Sequence, residues 1–267
     1  MSYQTNARPI GVFDSGIGGL SVLREIQQLL PHENLIYVAD SKYAPYGDRS
    51  SEYVQIRAQK ITNFLLTKNI KILVVACNTA TAEAVELLRE QLSIPVIGVE
   101  PAVKSGVKIS KTGVIAVLAT QRTIQSKRLT SLTLKYAPYT KVLAQPCPGL
   151  VEKVEANRLD CDDTRQLIKQ YTLPLLQQQA DTLILACTHY PFLNHTIQLI
   201  VGNDIKLIET GKPVARQLRR ILQYKQLLNS SVNTGYIEFY NSSQLREHQR
   251  TMQQLWHQVI KIKLLLI

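Results

Sequence analysis

Apolar runs rich in β-branched residues recur along the chain, and each is followed by polar residues or by a stretch of helical periodicity. PIGVF, NLIYVA, IKILVVA, IPVIGV, TGVIAVLA, TLILA and IKLIE read as strands. GLSVLREIQQLL, YVQIRAQKITNFLLTK and ATAEAVELLREQL place apolar residues at helical spacing. This alternation predicts an α/β fold with largely parallel sheets flanked by helices. The residues that end each apolar run then lie at the carboxyl edge of a sheet, where folds of this class bind ligands. The final strand is expected in GYIEFYNSSQLREHQ.

Two stretches repeat one another. ILVVACNTA and LILACTHYP each end a strand-like run at Ala-Cys and continue with small polar residues, placing Cys77 and Cys187 110 positions apart. A helical pattern follows each cysteine, then IPVIGVEPAV in one case and IKLIETGKPVA in the other. Glu100 lies 23 residues beyond Cys77, and Glu209 lies 22 beyond Cys187. Each half also opens alike, with IGVFDSGIGG and TGVIAVLATQRT. The expectation is two pseudo-symmetric α/β units facing each other across a cleft, with one thiol on either side.

The length, 267 residues, suits one large domain or two of ordinary size. MSYQTNARPIGVF has an arginine but no apolar run before its first strand, so no secretory signal is expected. No stretch approaches the roughly 20 apolar residues of a membrane span, and VIKIKLLLI is short and broken by lysines. A cytoplasmic location follows, and in that compartment the four cysteines are expected to be reduced. Without C-x-x-C or H-x-x-x-H spacing, a zinc site is not expected either. The net charge of +11 is uneven: residues 206–267 hold ten Lys or Arg against three acids. That segment reads as a solvated basic face, as a nucleic-acid contact, or as a surface that attracts an acidic small substrate.

Thiols titrate near pH 8.5 and can serve as base or acid after modest tuning. One thiolate and one thiol on opposite faces of a carbon can remove a proton and return another, inverting that centre. Such a site must also stabilise a carbanion-like transition state with fixed hydrogen bonds. Asp14 and Ser15 precede GIGG, whose backbone N–H groups could hold a carboxylate. SGIGGL lacks the spacing of a dinucleotide fingerprint. Asn78, Thr79, Thr188 and His189 adjoin the thiols; His189 could assist Cys187, and Asp14 could assist Cys77. Each has a plainer reading too: a buried cysteine is commonly a small core residue, and Thr79 could cap a helix.

Taken together, GVFDSGIGGLSVL, YVADSKYAPYGDRS, VVACNTATA, IPVIGVEPAVK, AVLATQRTIQS and LILACTHYPFL resemble the glutamate racemases of the aspartate/glutamate racemase family, over roughly residues 10–210. The resemblance implies cofactor-independent interconversion of L- and D-glutamate, supplying D-glutamate for bacterial peptidoglycan, with no metal. It implies Cys77 and Cys187 as the acid/base thiols, Asp14 supporting Cys77, and His189 with Glu155 supporting Cys187. Glu152 lies nearby, but Glu155 fits the family register better. Ser15, Tyr46, Gly47, Asn78, Thr79 and Thr188 would hold the substrate with Asp14 and His189, as would Thr120 and Thr123. Cys147 and Cys161 match no catalytic position. The resemblance further implies a homodimer and two domains, residues 1–98 plus 208–267 and residues 99–207.

The C-terminal part departs from the family pattern, lacking the Gly-Asp-Pro that often follows the final strand. A relative acting on aspartate or a hydantoin would keep the paired cysteines. Some relatives are reported to contact gyrase, so nucleic-acid or gyrase binding stands as a second reading of the basic segment. A cysteine hydrolase would need a single nucleophile and leaves the second cysteine unexplained.

Overall fold

The computed structural model describes residues 6–267; the first five residues of the N-terminal reading lie outside it. Ten strands are present among the described residues: β1 Ile10–Asp14, β2 Leu35–Ala39, β3 Ile72–Val75, β4 Val96–Gly98, β5 Val114–Ala119, β6 Lys141–Pro146, β7 Thr182–Leu185, β8 Lys206–Ile208, β9 Ile237–Asn241 and β10 Ile262–Leu264. They form two sheets, ordered β10-β9-β2-β1-β3-β4 and β6-β5-β7-β8, and every pairing is parallel.

The sequence repeat is therefore an architectural one. Strands β2-β1-β3-β4 of the larger sheet and β6-β5-β7-β8 of the smaller share one order. In both, the strand order reverses between the first strand and the third, which is where sheets of this kind open a crevice at their carboxyl edge. Parallel strands covered on both faces read as unbroken apolar runs, and every residue of β1, β2, β3 and β7 is buried.

Two strands differ from the sequence expectation. β6 is an edge strand with no fully buried residue; its lysine, glutamine and proline hide it from a pattern search. The last strand is not β9, which contains the expected IEFYN, but β10, drawn from the lysine-broken tail and added outside β9. Leu265 just beyond it is buried among Val38, Val54, Ala58 and Tyr240.

Helices Ser51–Thr67 and Asn78–Gln91 cover one face of the larger sheet over Phe13, Val38, Leu73 and Val75. On the other face, helix Leu20–Leu29 packs against Gly211–Tyr224. That core runs without a break from Val12, Leu23 and Leu218 to Leu150, Leu185 and Tyr190 beside the smaller sheet. This contact sets the two carboxyl edges side by side. Strand β8 belongs wholly to the smaller sheet, so a division at 207/208 falls inside it.

Candidate active site

Cys77 lies two residues beyond β3, and Cys187 lies two residues beyond β7, the matching strand of the other sheet. Both are buried, and all four cysteines are free. Cys77 itself caps helix Asn78–Gln91: its Sγ accepts the Ala80 N–H at 3.4 Å. Thr79 is thereby relieved of the capping role its sequence position suggested. The Cys77 thiol donates to Ser15 Oγ at 3.5 Å. Burial, with the Asp14 carboxylate beside it, pushes this thiol well above its ordinary range, so Cys77 rests protonated.

Asp14 ends β1 and is fully buried. Its Oδ2 accepts the Gly19 N–H at 2.7 Å, and the Thr188 hydroxyl approaches both oxygens at 3.3 and 3.4 Å. Burial raises its pKa, opposed by His189 and the Gly19 N–H. Asp14 thus joins the larger sheet to the residue that follows Cys187. A second tie comes from Ser21, whose hydroxyl donates to the Thr188 carbonyl at 2.8 Å.

On the Cys187 side, His189 Nδ1 lies 3.7 Å from the sulfur, and Nε2 lies 2.7 Å from Glu155 Oε1. Burial opposes a charge on this imidazole, but the Cys187 sulfur and the Glu155 carboxylate outweigh it and hold the His189 pKa well above the usual value. Glu155 ends helix Leu150–Glu155 and also accepts the Ile17 N–H at 2.8 Å. Glu152, one turn earlier, instead lines a cavity of about 250 Å3 with Pro45, Gly47, Thr120 and Cys147.

The glycine loop after β1 departs from expectation. Two of its N–H groups, at Ile17 and Gly19, are engaged by the chain's own carboxylates, Glu155 and Asp14, rather than left open for a ligand.

Three hydroxyls meet where the sheets face each other. Thr79 Oγ1 lies 2.9 Å from Thr120 Oγ1 and 3.4 Å from Thr123 Oγ1. Thr120 follows β5 as Asp14 ends β1, and its hydroxyl caps helix Gln121–Gln125. Asn78 is buried beside Cys77, and neither its amide nitrogen nor its carbonyl oxygen has a protein partner. A buried, unpaired amide is expensive and marks a place where a ligand's polar groups belong.

The Tyr46 side chain is engaged within the protein. Its ring is buried in the core, and its hydroxyl donates to Asp40 Oδ2 at 2.5 Å. Gly47 next to it abuts Thr120. Cys147 is buried and donates to the Gln145 carbonyl at 3.4 Å, whereas Cys161 precedes helix Asp162–Gln177 and is partly exposed. Asp40 and Arg57 went unnoticed in sequence; the only signal was an acidic residue ending the NLIYVAD run at a sheet's carboxyl edge.

Two matched α/β units, each with a buried thiol at the same edge position, define a two-sheet α/β protein built around paired cysteines. The chain belongs to the Asp/Glu/Hydantoin racemase family, whose model matches residues 10–218. It is 47% identical over 258 residues to a glutamate racemase of Methylococcus capsulatus, covering 97% of this chain and 95% of that one. The solved glutamate racemase isoform of Bacillus anthracis superposes with a TM-score of 0.90 at 37% identity, covering 97% of this chain and 98% of that one. The glutamate racemase of Francisella tularensis, solved in complex with D-glutamate, superposes with a TM-score of 0.86 at 29% identity over 97% and 98% of the two chains. Among the described residues, no helix is long and apolar enough to cross a membrane.

Proposed function

We propose that this chain interconverts L- and D-glutamate by proton transfer at the α-carbon between Cys77 and Cys187, supplying D-glutamate for peptidoglycan. The observation that carries this reading is the placement of the two thiols at equivalent edges of two sheets with the same strand order. The relatives named above are glutamate racemases, and one of them is solved with D-glutamate.

The two thiols are supported differently. Cys77 rests as a thiol and can deliver a proton to one face of a planar intermediate. A substrate ammonium arriving beside Asp14 offsets the negative charge there and favours thiolate formation at Cys77 for the reverse direction. Cys187 faces His189, whose raised pKa keeps a cation beside its sulfur. Asn78, Thr79, Thr120, Thr123 and Thr188, with Ser15 and the Gly47 backbone, supply polar groups for the substrate's carboxylates and ammonium.

The domains are residues 1–98 plus 208–267 and residues 99–207, and the assembly is a homodimer. Sheet membership supports this division except at 207/208, where β8 keeps Ile208 with the smaller sheet: β1–β4 with β9 and β10 form one sheet and β5–β8 the other.

The test is incubation of the protein with L-glutamate in D2O, without pyridoxal phosphate and with a chelator, following optical rotation and α-deuterium by NMR. Decay of rotation with deuterium in the product supports the reading. An unchanged signal from folded protein refutes it.

A further inference from the structure

We infer that Asp40 and Arg57 are positioning residues for the proposed racemisation: their buried ion pair holds Tyr46 by its hydroxyl and fixes the Tyr46–Gly47 turn that walls the cleft against Thr120. Asp40 follows β2 and is fully buried, so its charge needs a partner. Arg57 on helix Ser51–Thr67 provides a two-pronged one: Nε donates to Oδ2 and Nη2 to Oδ1, both at 2.9 Å.

The guanidinium is itself held in place. It lies 3.6 Å from the centroid of the Tyr43 ring, and Nη1 donates to the Ile267 carbonyl at 3.4 Å. The segment that follows β10 therefore reaches this pair.

A buried ion pair adds little net stability over apolar side chains of similar volume, and the surrounding core is apolar. An apolar pair could not receive the Tyr46 hydroxyl. That hydroxyl donates to the oxygen that also accepts from Arg57 Nε. Burial and the Asp40 charge push the phenol pKa well up, so it remains a donor.

The next residue carries the consequence. A Cβ on Gly47 would stand 2.9 Å from Thr120 Cβ, so the turn rests directly on the opposite wall. Thr120 in turn lies 2.9 Å from Thr79, oxygen to oxygen. Gly47 and Thr120 line the same cavity of about 250 Å3. Displacing Tyr46 therefore moves that wall.

This inference rests on the proposed function, and its test separates the two. Tyr46→Phe removes only the hydroxyl, and Asp40→Asn keeps the shape of the acceptor. Each variant is expected to raise KM for glutamate about tenfold with kcat within about twofold, the signature of lost substrate binding rather than lost chemistry. The double variant should be no worse than Asp40→Asn alone, because the Tyr46 hydroxyl acts only through Asp40. Thermal melts run alongside expose a purely structural role: a fall in Tm with KM unchanged in both variants overturns the inference. Absence of racemisation in the unaltered protein, in the same assay, overturns the proposed function and this inference with it.

Discussion

His189 Nε2 and Glu155 Oε1 lie 2.7 Å apart, and the same carboxylate oxygen accepts the Ile17 N–H at 2.8 Å. One oxygen thus fastens the loop after β7 to the loop after β1, which belong to different sheets. With the Cys187 sulfur, its carboxylate also holds the His189 pKa up.

Glu155→Gln keeps the shape and an acceptor oxygen while removing that charge. The His189 pKa should fall and the imidazolium beside Cys187 should be depleted at neutral pH. We expect kcat/KM to drop roughly a hundredfold, the lower end of the range for positioned acid–base groups. Two enantiomers are equal in free energy, so the drop must be the same in both directions, and only kcat and KM taken separately can differ. Steady-state kinetics from L- and from D-glutamate check both points.

Gly16→Ala should be at least as damaging, for a steric reason. A Cβ at Gly16 would fall 2.0 Å from Glu155 Oε1, and the carboxylate would have to leave His189. Gly113→Ala provides the contrast. Nothing lies within 4 Å of a Cβ there, but φ is +72°, so that variant should lose about 1 kcal/mol of stability and keep its activity. Denaturant melts and rate assays on the two variants separate crowding at the site from backbone strain.

Asp14→Asn should trade function for stability, with a defined pH dependence. Burial raises the Asp14 pKa above its unfolded value of 3.8. The folded state therefore binds this proton more tightly than the unfolded one. Its contribution is fully present below pH 3.8 and is lost as pH rises through the raised folded pKa. An amide carries no such penalty. The variant should melt higher than the unaltered protein at neutral pH, with the gain vanishing toward pH 3.8, while racemisation collapses. Melting curves across that window check the sign.

Much of the candidate site was legible because the fold writes its parallel strands as apolar runs and places polar and thiol groups where those runs stop. Asp14, Cys77, Thr120 and Cys187 all sit at such ends, and the shared strand order explains why one phrase occurs twice. Contacts between distant segments were less legible. Tyr46 stands in a stretch that looked like a substrate contact, yet its hydroxyl is taken by Asp40, and Asp40 is held by an arginine on the next helix. The glycine loop looked open for an anion, but Glu155, 138 positions from Ile17, occupies one of its N–H groups. Edge strands β6 and β10 escaped because an edge tolerates lysine and proline, and its pattern is correspondingly weak.

The account stands most directly on the pair Cys77 and Cys187 acting on opposite faces of one carbon. The measurement is α-proton exchange in D2O with Cys77→Ser and Cys187→Ser, each given L-glutamate and D-glutamate in separate experiments. Neither variant should racemise at a rate near that of the unaltered protein. Each should exchange the α-proton of one enantiomer only, with configuration retained, and the two variants should choose opposite enantiomers. Racemisation by either variant at the unaltered rate, or exchange of the same enantiomer by both, would contradict it.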